Sequence, residues 1–257
     1  MKGLYRLANI EFVRWMPFAG PLLIASFVIP IWMLRSAASD YNMFANHPRY
    51  EDLYAASGCG LLLLFLLALL CLYFLITIYS GYWGSKSVYT YLTLPIRRES
   101  LYWSKMLVFA TYLLLFIGVQ LLVISLGYAI FAAKAHVYLE GRYAMNNGLF
   151  LAFARSDEFR LLAPYSFSRV LSSVGLLTVL MTGIYYGALC ERSRTYWGFA
   201  AIGVAALFAY RILVYRLNES AHLFEPRHLY PSSMLMLALT GFFIWHSIRI
   251  VKNGNIA

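Results

Sequence analysis

The chain has 257 residues, 61% of them hydrophobic and 12% charged, with a mean hydropathy of +0.66, against roughly 25% charged residues in an ordinary soluble domain. No soluble fold of this size hides so much apolar side chain, and 18 Phe, 21 Tyr and 6 Trp exclude intrinsic disorder, so lipid is the expected solvent. The excess of 21 Lys and Arg over 11 Asp and Glu fits an anionic membrane surface better than nucleic acid, and three cysteines (Cys59, Cys71, Cys190) are too few for a disulfide framework.

A transmembrane helix needs about 20 mainly apolar residues to cross roughly 30 Å of hydrocarbon. Six stretches lack Asp, Glu, Lys and Arg: Trp15–Leu34, Leu53–Ser85, Met106–Ala133, Val170–Cys190, Thr195–Tyr210 and Leu229–Ile248. None alternates apolar with polar residues over about ten positions, as a barrel strand does. The expected fold is therefore an all-α bundle of six transmembrane helices in a single domain over 1–257, with spans near 15–34, 57–81, 106–131, 169–190, 196–214 and 230–248.

Lys2, Arg6, Glu11 and Arg14 precede the first span, which is expected to stay in the protein, because no small-x-small cleavage pattern follows Leu34 cleanly. The second span holds sixteen consecutive apolar residues, Leu61 to Ile76. In the third, Gln120 falls near mid-membrane and is expected to face protein or water. Between the third and fourth, the mixed-charge segment from Lys134 to Arg169 surrounds an apolar patch, Leu149 to Phe153, with the pattern of a short helix lying on the bundle. On the fourth, Ser172, Gly175, Thr178, Thr182 and Tyr186 form a small and polar stripe, readable as close helix packing or as a possible translocation surface, to which Gln120 would also belong. The fifth is the shortest charge-free run, and Arg211 at its end suits either external headgroups or an anionic cargo. All six tryptophans fall near span ends, where an aromatic belt is expected.

Six spans put both termini on one side. The side holding the termini, the 84–105 loop and the short turn before Thr195 carries 11 Lys and Arg in short segments, whereas the other spreads its 10 over longer ones. The positive-inside rule weights short loops, so the termini are expected in the cytoplasm.

The loop between spans two and three reads Leu92-Thr93-Leu94-Pro95-Ile96-Arg97-Arg98, then Leu101 and Lys105. Physically it is a short amphipathic piece, a break before the proline, and a basic, aromatic helix start. Taken by itself it is either a solvated loop that holds orientation or a docking surface. This segment, set between the second and third of six helices, resembles the coupling region of membrane subunits of the type-2 ATP-binding-cassette (ABC) exporters. The basic amino-terminal segment (Leu4, Ile10, Glu11, Arg14), the short turn between spans four and five and the basic carboxyl tail resemble that family too. Two features depart from it: Lys86 follows Gly84-Ser85, and the longest external segment lies between spans three and four.

The resemblance implies a permease subunit in a cell membrane, a bacterial plasma membrane, that pairs with a second permease in a homo- or heterodimer. Cytoplasmic ABC ATPase subunits would bind ATP and Mg, while this chain binds no cofactor. Leu94, Pro95, Ile96, Arg97, Arg98, Leu101 and Lys105 would carry the ATPase coupling. No Gly-Lys dipeptide occurs, so a P-loop is absent and a partner must supply the energy. The cargo is not written in these residues; peptide or lipid-like molecules suit them equally. The reading from another class is a non-transport scaffold or sensor subunit. An intramembrane protease would need Ser172 or Ser173 to face His246, and both serines lack the flanking glycines of a nucleophile elbow. His222, Glu225 and His228 have a spacing that does not place all three on one helix face.

Overall fold

In the computed structural model, the described residues are 2–40, 49–83, 99–139, 148–218 and 229–252. Among them there are helices and no strands. The elements are α1 (Lys2–Ala37, closed by a 3-10 turn, Ala38–Asp40), α2 (Tyr50–Ala56), α3 (Cys59–Trp83), α4 (Glu99–Leu139), α5 (Leu149–Arg155), α6 (Asp157–Leu162), α7 (Phe167–Arg192), α8 (Trp197–Asn218) and α9 (Leu229–Lys252). Six of these, α1, α3, α4, α7, α8 and α9, are long and apolar enough to cross a membrane. The helices overrun the charge-free stretches at several ends because a charged side chain can lie within a helix once it reaches headgroups or a partner.

Two helix pairs build the bundle. α1 lies along α4 and α9 lies along α7, while α3 touches α1, α4 and α7, and α8 packs on α7 and α9. The α7 and α9 seam has a clear sequence cause. Its buried positions include Ser168, Ser172, Gly175, Val179, Thr182, Tyr186 and Leu189 on α7, and Leu229, Ser233, Met236, Thr240, Phe243, Ser247 and Ile250 on α9. Both sets step by four and three in turn, the 3.5-residue repeat of a left-handed coil, and the two helices run parallel, with Gly175 against Met236, Thr178 against Thr240 and Tyr186 against Phe243. Small residues let the backbones close up: a Cβ on Gly175 would stand 3.3 Å from the Met236 Cβ.

The core divides along the bundle axis. One half gathers Trp15, Phe74, Phe109, Tyr112 and Tyr185, with the Phe74 and Phe109 rings stacked at 4.0 Å. The other gathers Leu34, Tyr50, Tyr54, Phe131 and Phe159 under α2, α5 and α6. The expected short helix between spans three and four is thus two, broken at Ser156, whose hydroxyl accepts from the Phe159 amide and caps the second. Lipid-directed faces carry Leu61, Leu64 and Phe65 on α3 and Leu207 and Tyr210 on α8.

The tryptophan expectation needs one correction. Trp32, Trp197 and Trp245 are exposed, but Trp15 is only 2% exposed, stacked on Tyr112 at 5.0–6.0 Å from four neighbouring rings counting Tyr73, Phe74 and Phe109. It is a packing anchor between α1, α3 and α4, because its position one turn after Glu11 falls on the inward stripe of α1.

Candidate functional site

The start of α1, the end of α3, the start of α4 and the end of α9 meet at one end of the bundle. Lys252 on α9 lies 2.7 Å from Glu99 on α4, and the Tyr79 hydroxyl on α3 donates to the Glu191 carboxylate on α7. Both contacts are partly exposed, and such pairs each contribute little to stability. They show, however, that the helix termini flanking segment 84–98 share this end with the last turns of α9 and α7.

One turn further in, an ion pair is buried. Lys105 on α4 is 9% exposed and Glu11 on α1 is 5% exposed. The Lys105 Nζ stands 3.3 Å from Glu11 Oε1 and donates to the Thr77 carbonyl on α3 at 3.1 Å. Arg14 reaches the same carboxylate oxygen at 4.0 Å, while Glu11 Oε2 has no hydrogen-bond partner. One ammonium therefore joins three membrane helices. Two desolvated charges are costly, and their attraction repays that cost only with good geometry and full hydrogen bonding. Here one carboxylate oxygen goes unmet. The Tyr102 ring packs edge-on against Tyr185 at 4.9 Å beside this pair, wholly buried.

Of the sequence-derived coupling set, Leu94, Pro95, Ile96, Arg97 and Arg98 lie outside the described residues. Leu101 is partly buried on the first turn of α4, and Lys105 is turned into the bundle rather than outward. Glu11 belonged to the sequence pattern only as part of a basic leader. The signal for its role was available: it is the single acidic residue before position 40, placed beside an apolar span, and such a group is expected to pair.

The suggested translocation residues are occupied by helix packing within this chain. Ser172 and Thr182 are buried in the α7 and α9 seam, Thr178 Oγ1 lies 3.2 Å from Thr240 Oγ1, and Tyr186 Oη lies 2.8 Å from His246 Nδ1. Gln120 is buried and its Nε2 donates to the Ser26 carbonyl at 3.4 Å. Ser172 and His246 do not meet: Tyr186, the partner of His246, is fourteen residues along α7 from Ser172, or about 21 Å at 1.5 Å per residue.

At the opposite end of the bundle, charged side chains the sequence reading did not single out are drawn inward. Arg216 on α8 donates to Ser173 Oγ at 2.7 Å and to the Arg160 carbonyl at 2.9 Å, and Arg160 pairs with Asp157. Arg155 stands 3.9 Å from Glu51, tying α5 to α2, and the Tyr50 hydroxyl donates to the Ile124 carbonyl at 2.8 Å. Burial pushes the Glu158 carboxyl above the ordinary carboxylate range. Arg211, by contrast, is exposed. His222, Glu225 and His228 lie outside the described residues, among which no group of three His, Cys, Asp or Glu is placed to hold a metal ion. Comparison with protein-family models, with curated proteins and with solved structures gave no match.

Proposed function

We propose that this chain is the membrane subunit of an ATP-driven exporter of the ABC type, moved by a separate ATPase that docks on the 84–98 segment. The observation that carries the reading is α4. It begins at Glu99, directly after the proline-broken basic segment, and continues unbroken for 41 residues. At 1.5 Å per residue that is a rod of roughly 60 Å, twice the hydrocarbon thickness, so a push at its start moves the far end too. The helix start that follows the basic segment lies beside the end of α9 and the first turns of α1, and the density of Lys and Arg in these stretches favours the cytoplasm.

In this mechanism nucleotide binding closes two ATPase subunits under a pair of such permeases. The closure tilts α4 and the helices fixed to it, and the bundle changes between access states whose relative populations the nucleotide sets. The packed α7 and α9 seam moves as one body, and cargo passes at the interface between two permease copies rather than along Ser172, Thr178, Thr182 and Tyr186.

The test is the double variant Pro95→Ala with Arg97→Ala, reconstituted in liposomes with the ATPase that co-purifies with the wild-type chain. Stimulation of that ATPase is expected to be lost while membrane insertion is unchanged. Stimulation at the wild-type level refutes the coupling role, and a stable bundle that recovers no ATPase favours the scaffold reading.

A further inference from the structure

Thr77 stands seven residues before segment 84–98 and Lys105 seven after it, so the hydrogen bond from Lys105 to the Thr77 carbonyl ties together the two helices that flank that segment. The ion pair to Glu11 adds a third helix to the same point. Aromatic packing already holds these helices side by side, with Trp15 and Phe12 stacked on Tyr112. Such rings tolerate sliding along the helix axis, whereas a buried point contact between charges does not. Buried ionic groups are best attested as devices that fix register, at a cost in stability. The unmet Oε2 of Glu11 makes stability alone a poor reason for charges at this depth.

We infer that Glu11 and Lys105 are positioning residues that lock α1 and α3 to α4, so that displacement entering at segment 84–98 moves three helices instead of one. The inference rests on the coupling function proposed above. Without the lock, α4 slips along α1 and the motion dissipates near the membrane surface. Neutral side chains of similar size fill the same space and keep the bundle intact, but they do not transmit.

The experiment uses the full chain with its co-purifying ATPase in liposomes and reads two quantities, the thermal melting midpoint of the permease and the stimulation of ATP hydrolysis. Lys105→Met alone is expected to lower the midpoint, since it strands the Glu11 carboxylate. Combining it with Glu11→Gln is expected to restore the midpoint while stimulation falls at least tenfold. Lys105→Arg, which keeps donors for both Glu11 and Thr77, is expected to stay within twofold of wild type. Wild-type stimulation in the neutral double variant overturns the lock and leaves the coupling function standing. A wild-type chain that stimulates no ATPase overturns both.

Discussion

Pro30 has no amide hydrogen, so the Ser26 carbonyl one turn earlier in α1 loses its helical donor, and the Gln120 side chain supplies one from α4. This account of Gln120 is structural, and it is testable. Gln120→Leu is expected to cost about 1–3 kcal/mol by leaving a buried carbonyl unmet. The penalty should shrink in a Pro30→Ala background, where the backbone amide returns, and equal penalties in a double-mutant cycle of unfolding in mixed micelles contradict it. At the same scale, Glu158 is held partly out of water beside Gly60, with Oε2 unpartnered. Its raised pKa means that the folded chain keeps the proton longer than the unfolded one. Stability is therefore expected to fall as pH rises from the ordinary carboxylate value of about 4.3 to the elevated one, and then to level off. Glu158→Gln should remove that slope and raise the melting midpoint at pH 7; an unchanged slope excludes Glu158 as its source.

Glycines separate tight from open contacts between elements. A Cβ on Gly198, at the start of α8, would collide with Cys190 Sγ and stand 2.7 Å from Tyr186 Oη, whereas one on Gly203 meets nothing within 4 Å. Gly198→Ala is expected to destabilise by about 1–3 kcal/mol through overpacking, and Gly203→Ala to stabilise by about 0.5–1 kcal/mol through helix propensity; equal effects in chemical unfolding contradict the α7 and α8 packing. The existence of the six long helices was legible in the sequence because charge-free runs of this length have few other uses. Which face of each points inward was not, since lipid accepts the same side chains as the core. That is why Trp15 and Trp32 look alike in sequence and differ in burial. The small and polar stripe of α7 packs on a matching 3.5-residue spacing on α9, a match between two helices that the pattern of one does not reveal. The Glu11 and Lys105 pair spans 94 positions, a relation that local pattern does not reveal.

For the whole molecule, the orientation proposed from the charge distribution is checked by cysteine labelling. Ser87→Cys and Ser100→Cys are expected to react with a membrane-impermeant maleimide only after cells are permeabilised; labelling in intact cells reverses the orientation and removes the docking role. The fifth span, α8, is the most peripheral helix, with Trp197 91% exposed, and its charge-free run is the shortest. It follows α7 after only residues 193–196, where Arg194 adopts a φ of 54° in the left-handed region. A turn that short leaves no slack for one limb to be threaded while the other waits in the aqueous vestibule of the translocon. The two limbs are expected to partition into the bilayer together during synthesis, and lengthening the turn should make the biogenesis of α7, whose mean hydropathy of 1.6 lies below the 1.8 of α8, depend on its own apolar surface.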